Sequence, residues 1–158
     1  MKALIFLALP LTIATAAAQE AARNWRQDPA SGCRFQAPAS LTQGPTAWVG
    51  TCRDGRAEGL GMLRRRDGAQ AGAAFFGEMR EGVPRLGVVE AEGGYRVGAF
   101  AQGDIGTASE LEWQERLDAF RLAAQAARMV SDHYARAGNA ASSRFYQSVA
   151  AQLEQQVE

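Results

Sequence analysis

The chain has 158 residues, with 17 Lys and Arg against 17 Asp and Glu, and therefore no formal net charge at pH 7. This balance argues against bulk electrostatic attraction to nucleic acid or to an anionic membrane surface. The length is that of one domain, or of one small domain with an appendage.

Residues 1–18 have the three-part pattern of a secretory signal peptide. Lys2 gives a positive start, residues 4–13 form a short apolar run, and residues 16–18 are alanines that favour cleavage. The run is too short for an ordinary membrane span, although an uncleaved N-terminal anchor is the alternative. We therefore expect export to the periplasm or the extracellular space, with cleavage near Ala18.

Cys33 and Cys52 are the two cysteines of the chain. An even cysteine count behind a signal peptide favours a disulfide, and a closed loop of about 20 residues would stabilise the fold by about 3 kcal/mol. A reactive thiol or a metal pair is the alternative. Residues 19–46 contain three prolines, which interrupt helices and central strands. We therefore expect an irregular N-terminal arm that is pinned through Cys33.

Residues 47–106 consist of short apolar runs that are separated by two-residue turn signals. Asp-Gly and Gly-Gly pairs between such runs are typical of β-hairpins, because these turns need positive φ. The sequence therefore predicts an antiparallel meander of five strands over residues 47–53, 60–66, 71–79, 85–91 and 95–101. The turns are expected at Asp54-Gly55, Asp67-Gly68, Glu81-Gly82, Gly93-Gly94 and Gly103-Asp104.

Residues 107–158 change to a helical period. Ser109 and Glu112 form a capping box at a helix start, and Gly138-Asn139 ends that helix. A second helix is expected from about Ala140. The predicted fold class is therefore α+β, with an antiparallel β-meander of hairpins followed by a C-terminal α-helical hairpin.

The two helices carry apolar stripes that need a covering surface. We expect them to cover one end or one face of the sheet, with Trp113 and Phe120 among the buried contacts. The alternative is that they pack on another copy of the chain, which would make a homo-oligomer.

A glycine pattern recurs three times in the hairpin region. Each copy has a glycine, then an apolar residue two places later and a second glycine five places later, and an aromatic residue precedes the first two copies. The pattern resembles the MORN repeat, whose unit has the form Tyr-x-Gly-x-x-x-x-Gly-x-x-x-Gly-x-Gly. The motif positions are Trp48, Gly50, Gly55, Gly59 and Gly61 in the first copy, Phe75, Gly77 and Gly82 in the second, and Tyr95, Gly98 and Gly103 in the third.

The resemblance implies that each unit is a hairpin and that successive hairpins stack into an elongated, twisted sheet. Gly55 and Gly82 would then supply positive φ at turns. The other glycines would leave room on the sheet face for a neighbouring aromatic ring, and they are Gly50, Gly59, Gly61 and Gly77. The second copy departs from the motif after Gly82, where glycine is replaced by Leu86 and Val88.

The residues do not form a recognisable catalytic or metal site. Ser131, Asp132 and His133 are consecutive, and consecutive helical residues point in different directions, so they cannot form a triad. His133 also lacks a second metal ligand three or four residues away. We therefore expect no enzyme activity, no metal, no cofactor and no nucleic-acid partner.

Arg64, Arg65 and Arg66 form the one charge run of the chain. Guanidinium groups could hold phosphate headgroups of membrane lipids or an acidic partner, and a solvated hairpin tip is the alternative.

We expect a non-catalytic, exported interaction module that binds a protein partner through its repeat sheet. The candidate contact residues are Trp48, Phe76, Tyr95 and Phe100. The alternatives are a lipid-associated envelope protein and an enzyme that acts on cell-wall polymer.

Overall fold

A computed structural model describes residues 25–41, 44–68, 70–107 and 112–157, and within these ranges it contains eight β-strands and two α-helices. The predicted signal peptide and Ser109 of the predicted capping box lie outside the described residues. The strands are β1 (Trp25–Gln27), β2 (Arg34–Gln36), β3 (Thr46–Arg53), β4 (Arg56–Asp67), β5 (Gln70–Arg80), β6 (Val83–Ala91), β7 (Gly94–Ala101) and β8 (Asp104–Ile105). The helices are α1 (Trp113–Arg136) and α2 (Ala140–Glu154).

The predicted meander is confirmed. Strands β3 to β7 pair in chain order, each antiparallel to the next, and β8 pairs with β7. The five predicted strands correspond to β3–β7 and differ from them by a few residues at the ends. The fold class is α+β, as the sequence predicts, with an eight-stranded, mostly antiparallel sheet followed by two helices.

The hairpin turns use left-handed backbone. Asp54-Gly55 has φ values of 49° and 72°, and Glu81-Gly82 has φ values of 50° and 82°, so both predicted turns and the need for glycine there are confirmed. Two later turns lie one residue earlier than predicted, at Glu92-Gly93 and Gln102-Gly103. The reason is that the residues on both sides of each turn already pair across the hairpin.

The N-terminal arm is more regular than the sequence indicates, because hydrogen bonds to the sheet impose order on it. β1 and β2 pair with each other, and Arg34 of β2 pairs in parallel with Arg56 of β4. The Gln36 amide donates to the Gly82 carbonyl at 2.7 Å. The predicted disulfide is confirmed, since Cys33 is bonded to Cys52. The arm is therefore attached to the sheet both covalently and by backbone hydrogen bonds.

Both faces of the sheet are covered, so it has two apolar cores. The arm covers one face, and the helices cover the other. The buried residues of the arm-side core include Cys33, Phe35, Leu41, Trp48, Leu63, Phe75 and Ile105. Those of the helix-side core include Val49, Met62, Phe76, Val88, Phe120, Tyr146 and Leu153.

Five glycines lie directly opposite one another across β3–β7, and we call this row the glycine ladder. Gly50 pairs with Gly61, Gly61 with Gly77, Gly77 with Gly87, and Gly87 with Gly98. Glycine normally weakens a strand because it has no side chain to pack. A row of five therefore needs neighbouring groups to fill the space above it.

Aromatic rings of the arm-side core fill that space. A Cβ added at Gly61 would lie 2.6 Å from Trp48 Cζ2, and one at Gly50 would lie 2.6 Å from Trp48 Cε2. Phe75 covers the next part of the ladder, since a Cβ at Gly77 would lie 2.7 Å from the Phe75 Cζ atom. The expectation that these three glycines make room for an aromatic ring is confirmed.

Two other expectations about the repeat are wrong. Gly59 has φ of 73°, and a Cβ there would meet no atom within 4 Å, so it serves the backbone at the β3–β4 register shift. Tyr95 faces the helices, with its ring 5.9 Å from Phe120 in an edge-to-face arrangement. Arg96 occupies the position equivalent to Trp48, and its Nε atom donates to the Ile105 carbonyl at 3.2 Å.

The helices pack on the sheet of their own chain, which is one of the two predicted arrangements; the other is packing on a second copy of the chain. Phe120 is buried as predicted, whereas Trp113 is 68% exposed, which contradicts the prediction. The buried residues of α1 begin only at Ala119, so its first turn lies outside the core. Asn139 caps the N-terminus of α2, and its side chain accepts a hydrogen bond from the Ser142 amide at 3.0 Å.

Candidate functional site

The arginine run is divided between the two faces of the sheet, because successive strand residues point in opposite directions. Arg64 is buried beneath the helices and is only 5% exposed. Arg65 lies against Gly44, where an added Cβ would be 2.7 Å from Arg65 Nε. Arg66 Nη2 donates a 2.8 Å hydrogen bond to the Tyr134 hydroxyl of α1. The three side chains therefore do not form one patch for headgroups, and the alternative of a solvated hairpin tip is wrong for Arg64.

Arg64 is held by contacts from β5, β6 and α2, while its buried Nε atom has no hydrogen-bond partner among the described residues. Its Nη2 atom donates to both carboxylate oxygens of Glu90, at 3.2 and 3.3 Å, and Nη1 donates to the Gly72 carbonyl at 3.1 Å. Its guanidinium carbon lies 5.5 Å from the ring centroid of Tyr146 and 5.8 Å from that of Phe145. Arg64 thus completes the helix-side core and is not available as a surface ligand.

A crevice of about 170 Å³ lies between the end of the β4–β5 hairpin and the start of α2. We call it the hairpin–helix crevice. None of the lining side chains that the structure describes is acidic. Its polar side chains are those of Arg64, Arg66, Gln70, Tyr134, Asn139, Ser142 and Tyr146.

Two stacked tyrosines form one wall of the hairpin–helix crevice. The rings of Tyr134 and Tyr146 are 5.4 Å apart and 7° from parallel. Because Arg66 donates to the Tyr134 oxygen, the phenolic proton of Tyr134 is free to bond to another acceptor. The Tyr146 hydroxyl makes no hydrogen bond to any residue in the described ranges. Burial raises the pKa of Tyr146 above its ordinary value of 10.0. Like any protonated phenol, Tyr146 can donate a hydrogen bond at neutral pH.

A wider crevice, of about 630 Å³, opens at the opposite end of the meander, where the β3–β4 and β5–β6 turns meet. We call it the turn-end crevice. The Glu58 carboxylate joins the two hairpins, since its Oε2 atom accepts a 2.8 Å hydrogen bond from the Glu81 amide. The lining residues are Arg53, Asp54, Arg56, Glu58, Arg80 and Glu81.

Arginines concentrate around the turn-end crevice in an unfavourable register. Arg56 lies directly opposite Arg53 in β3 and directly opposite Arg34 in β2, and like charges in such pairs are destabilising. The guanidinium carbons of Arg34 and Arg56 lie 5.5 and 5.6 Å from the Trp25 ring centroid. In the described part of the chain, Arg53, Arg56 and Arg80 make no ion pair.

The predicted aromatic contact residues do not form a binding surface. Phe76 is fully buried, with its ring 6.2 Å from Tyr146, so its assignment as a surface contact is wrong. Trp48 is buried over the glycine ladder. Phe100 and Tyr95 are half-buried, the first against the arm-side core and the second against the helix-side core.

Sequence reasoning missed the turn-end crevice, although a local signal was present. The same three-residue pattern occurs at three hairpin turns: an arginine, then an acidic residue, then a glycine. It occupies residues 53–55, 66–68 and 80–82. The first and third of these line the turn-end crevice, and Arg66 of the second lines the hairpin–helix crevice. The contribution of Tyr134 carries no comparable sequence signal.

The described residues offer no recognisable reaction centre. His133 is exposed on α1, with its ring edge-on to Tyr134 at 5.4 Å. Within the same ranges, no group of three or more His, Cys, Asp and Glu side chains is placed to hold a metal ion. Neither helix in this part of the protein is sufficiently long and apolar to cross a membrane.

Comparisons of the chain with protein-family models, with curated proteins and with solved structures find no match. The resemblance to the MORN repeat therefore stays a prediction from the sequence motif.

Proposed function

We propose that the chain is an exported, non-catalytic interaction module of the MORN-repeat type, which binds an acidic surface of a protein partner at the turn-end crevice. The observation that carries this proposal is the register of Arg56 between Arg53 and Arg34, without an ion pair to any described carboxylate. Such a register lowers the stability of the free protein. A partner that supplies carboxylates would remove the repulsion and gain charge-assisted hydrogen bonds.

The position of the crevice supports this choice over the faces of the repeat sheet. The arm and the helices already cover the central part of both faces. The arm is hydrogen-bonded to Gly55 and Gly82 of the two turns, but the side chains of Arg53, Arg56 and Arg80 are exposed beside it. Trp25 adds a half-buried aromatic ring beside them, and arginine and tryptophan are the residue types that most often dominate binding energy in interfaces.

Export is supported by the disulfide between Cys33 and Cys52, because such bonds persist in oxidising compartments. The N-terminal signal pattern points to the same location. The partner is therefore sought in the cell envelope or outside the cell.

The test is a crosslinking pull-down from the envelope of the source cell, with a tagged chain that begins at Gln19. The crevice variant carries Arg53→Ala, Arg56→Ala and Arg80→Ala. The matched control carries Arg85→Ala, Arg136→Ala and Arg144→Ala, which are also exposed arginines.

We expect the wild type and the control to recover one stoichiometric protein, and the crevice variant to recover at least about tenfold less. Recovery that also falls as salt increases would agree with charged contacts. Equal recovery by the crevice variant would contradict the turn-end crevice as the binding site. Absence of a stoichiometric protein with the wild type would contradict protein binding and favour the lipid-associated alternative.

A further inference from the structure

We propose that the hairpin–helix crevice is a second binding site, and that its ligand is a phosphate group. Hydrogen-bond donors from three elements converge on this crevice. β4 contributes Arg66, α1 contributes Tyr134, and α2 contributes Tyr146 together with Ser142 near its first turn.

The charge of the crevice suits an anion. The Glu90 carboxylate is engaged by Arg64 and by the Ala74 amide, which donates to it at 3.0 Å. Arg66 is exposed, and the one hydrogen bond of its side chain to the described part of the chain goes to a neutral phenol. Arg66 makes no ion pair with any carboxylate among the side chains that the structure describes.

The donors are already arranged without a ligand. Arg66 fixes the Tyr134 oxygen at 2.8 Å and leaves the phenolic proton to be donated. Donation to this oxygen polarises the phenol and strengthens its own hydrogen bond, because chains of hydrogen bonds are cooperative. Stacking holds the Tyr146 ring within 7° of parallel to the Tyr134 ring, which restricts the motion of both side chains. A ligand then loses little free energy to the ordering of side chains.

A phosphate group matches this donor set better than a carboxylate does. It has three acceptor oxygens and a charge near −1.5 to −2 at neutral pH, whereas a carboxylate has two oxygens and one charge. Two phenols, a guanidinium and the Ser142 hydroxyl can meet three oxygens from different sides. The volume of about 170 Å³ leaves space beyond the phosphate for part of the molecule that carries it.

The site is distinct from the turn-end crevice in its chemistry. The turn-end crevice has three arginines together with three carboxylates, those of Asp54, Glu58 and Glu81. The hairpin–helix crevice has no acidic lining among the described residues.

The experiment titrates inorganic phosphate into the full-length mature protein at constant ionic strength, with chloride as the comparison anion. Backbone amide NMR shifts are followed at Ser142, Tyr146 and Gly68. We expect saturable shifts at these positions with phosphate and not with chloride, and a rise in the thermal midpoint with phosphate concentration.

Two variants and one control test the assignment. Arg66→Ala should weaken phosphate binding about tenfold or more, because it removes a charge-assisted hydrogen bond. Tyr134→Phe keeps the ring stack and removes only the hydroxyl, so it tests the site even if Arg66→Ala unfolds the chain. Arg136→Ala, an exposed arginine at the end of α1, should bind phosphate like the wild type.

A second arm distinguishes a free phosphate compound from a lipid headgroup. Vesicles of phosphatidylcholine with and without phosphatidic acid are sedimented with wild type and with Arg66→Ala. Arg66-dependent binding to the phosphatidic acid vesicles identifies the source as a lipid, and equal sedimentation with both vesicles identifies it as a soluble phosphate compound. Absence of saturable phosphate shifts, or equal phosphate affinity in wild type, Arg66→Ala and Tyr134→Phe, would overturn the proposal.

Discussion

Trp48 lies flat against the backbone of Gly61, and its indole Nε1 atom donates a 2.9 Å hydrogen bond to the Thr51 carbonyl. The ring is therefore fixed both by packing and by a hydrogen bond, so it cannot turn aside easily. A Cβ at Gly61 would also lie 2.6 Å from the carbonyl oxygen of Val49, which belongs to the backbone of the adjacent strand.

Gly61→Ala should reduce the free energy of unfolding by about 1–3 kcal/mol, because overpacking forces the ring or the strand to move. The matched control is Gly94→Ala, since a Cβ at Gly94 meets no atom within 4 Å. That change should leave stability unchanged or raise it by about 0.4–1 kcal/mol. Urea unfolding of both variants measures the difference, and equal stability of the two would refute the role of the ladder.

Replacing both Cys33 and Cys52 by serine should lower the free energy of unfolding by about 3 kcal/mol, because the bond closes a loop between residues 19 positions apart. The loss comes mainly from the greater freedom of the unfolded chain. Urea unfolding of wild type with and without reductant gives the comparison. The reduced wild type should match the double variant, and a wild type that is insensitive to reductant would argue against this contribution.

Removing Arg64 should destabilise the protein because Glu90 would lose its charged partner beneath the helices. We expect Arg64→Ala to cost about 2 kcal/mol, less than the roughly 3–5 kcal/mol of a fully buried pair, since the Glu90 side chain remains 28% exposed. A double-mutant cycle with Glu90→Ala should give a coupling of about 1 kcal/mol or more. The exposed pair Arg121 and Asp118 serves as the control, with an expected coupling below about 0.5 kcal/mol.

Tyr146 should make the protein less stable in alkali. Its pKa is raised in the folded state from 10.0, mainly by burial, so the folded chain keeps its proton at a pH where the unfolded chain loses it. The contribution is fully present below pH 10 and is lost as the pH rises from 10 through the folded pKa. Tyr146→Phe should therefore show a shallower decline of the urea midpoint above pH 10 than wild type does. Identical pH profiles would show that the phenol is not protected by burial.

The meander could be predicted from the sequence because each hairpin carries its own local signal. Asp54-Gly55 and Glu81-Gly82 adopt the left-handed conformations that such pairs favour. The regular structure of the arm could not be predicted, because Arg34 and Gln36 gain their order from hydrogen bonds to Gly55 and Gly82 of distant turns. The residue pattern within one short strand does not indicate hydrogen-bond partners that are far away in sequence.

The candidate sites show the same limit. The alternation of side chains along a strand places Arg64 on the same face as Met62. A run of three charged residues nevertheless predicts a solvent-exposed side chain. Its burial depends on Glu90, 26 residues further along the chain. Likewise, the contact between Arg66 and Tyr134 joins residues 68 positions apart and follows only from the docking of α1 on the sheet.

The arm also has a consequence for the order of folding. The hairpins of the meander join near neighbours in sequence, whereas the arm reaches across the molecule, with Ser40 Oγ 2.6 Å from Asp104 Oδ1 over 64 residues. Contacts at such separation close large loops and form slowly. We therefore expect the hairpins to assemble first and to present Cys52 to an arm that arrives last. Formation of the disulfide between Cys33 and Cys52 would then lock the arm onto a sheet that has already formed.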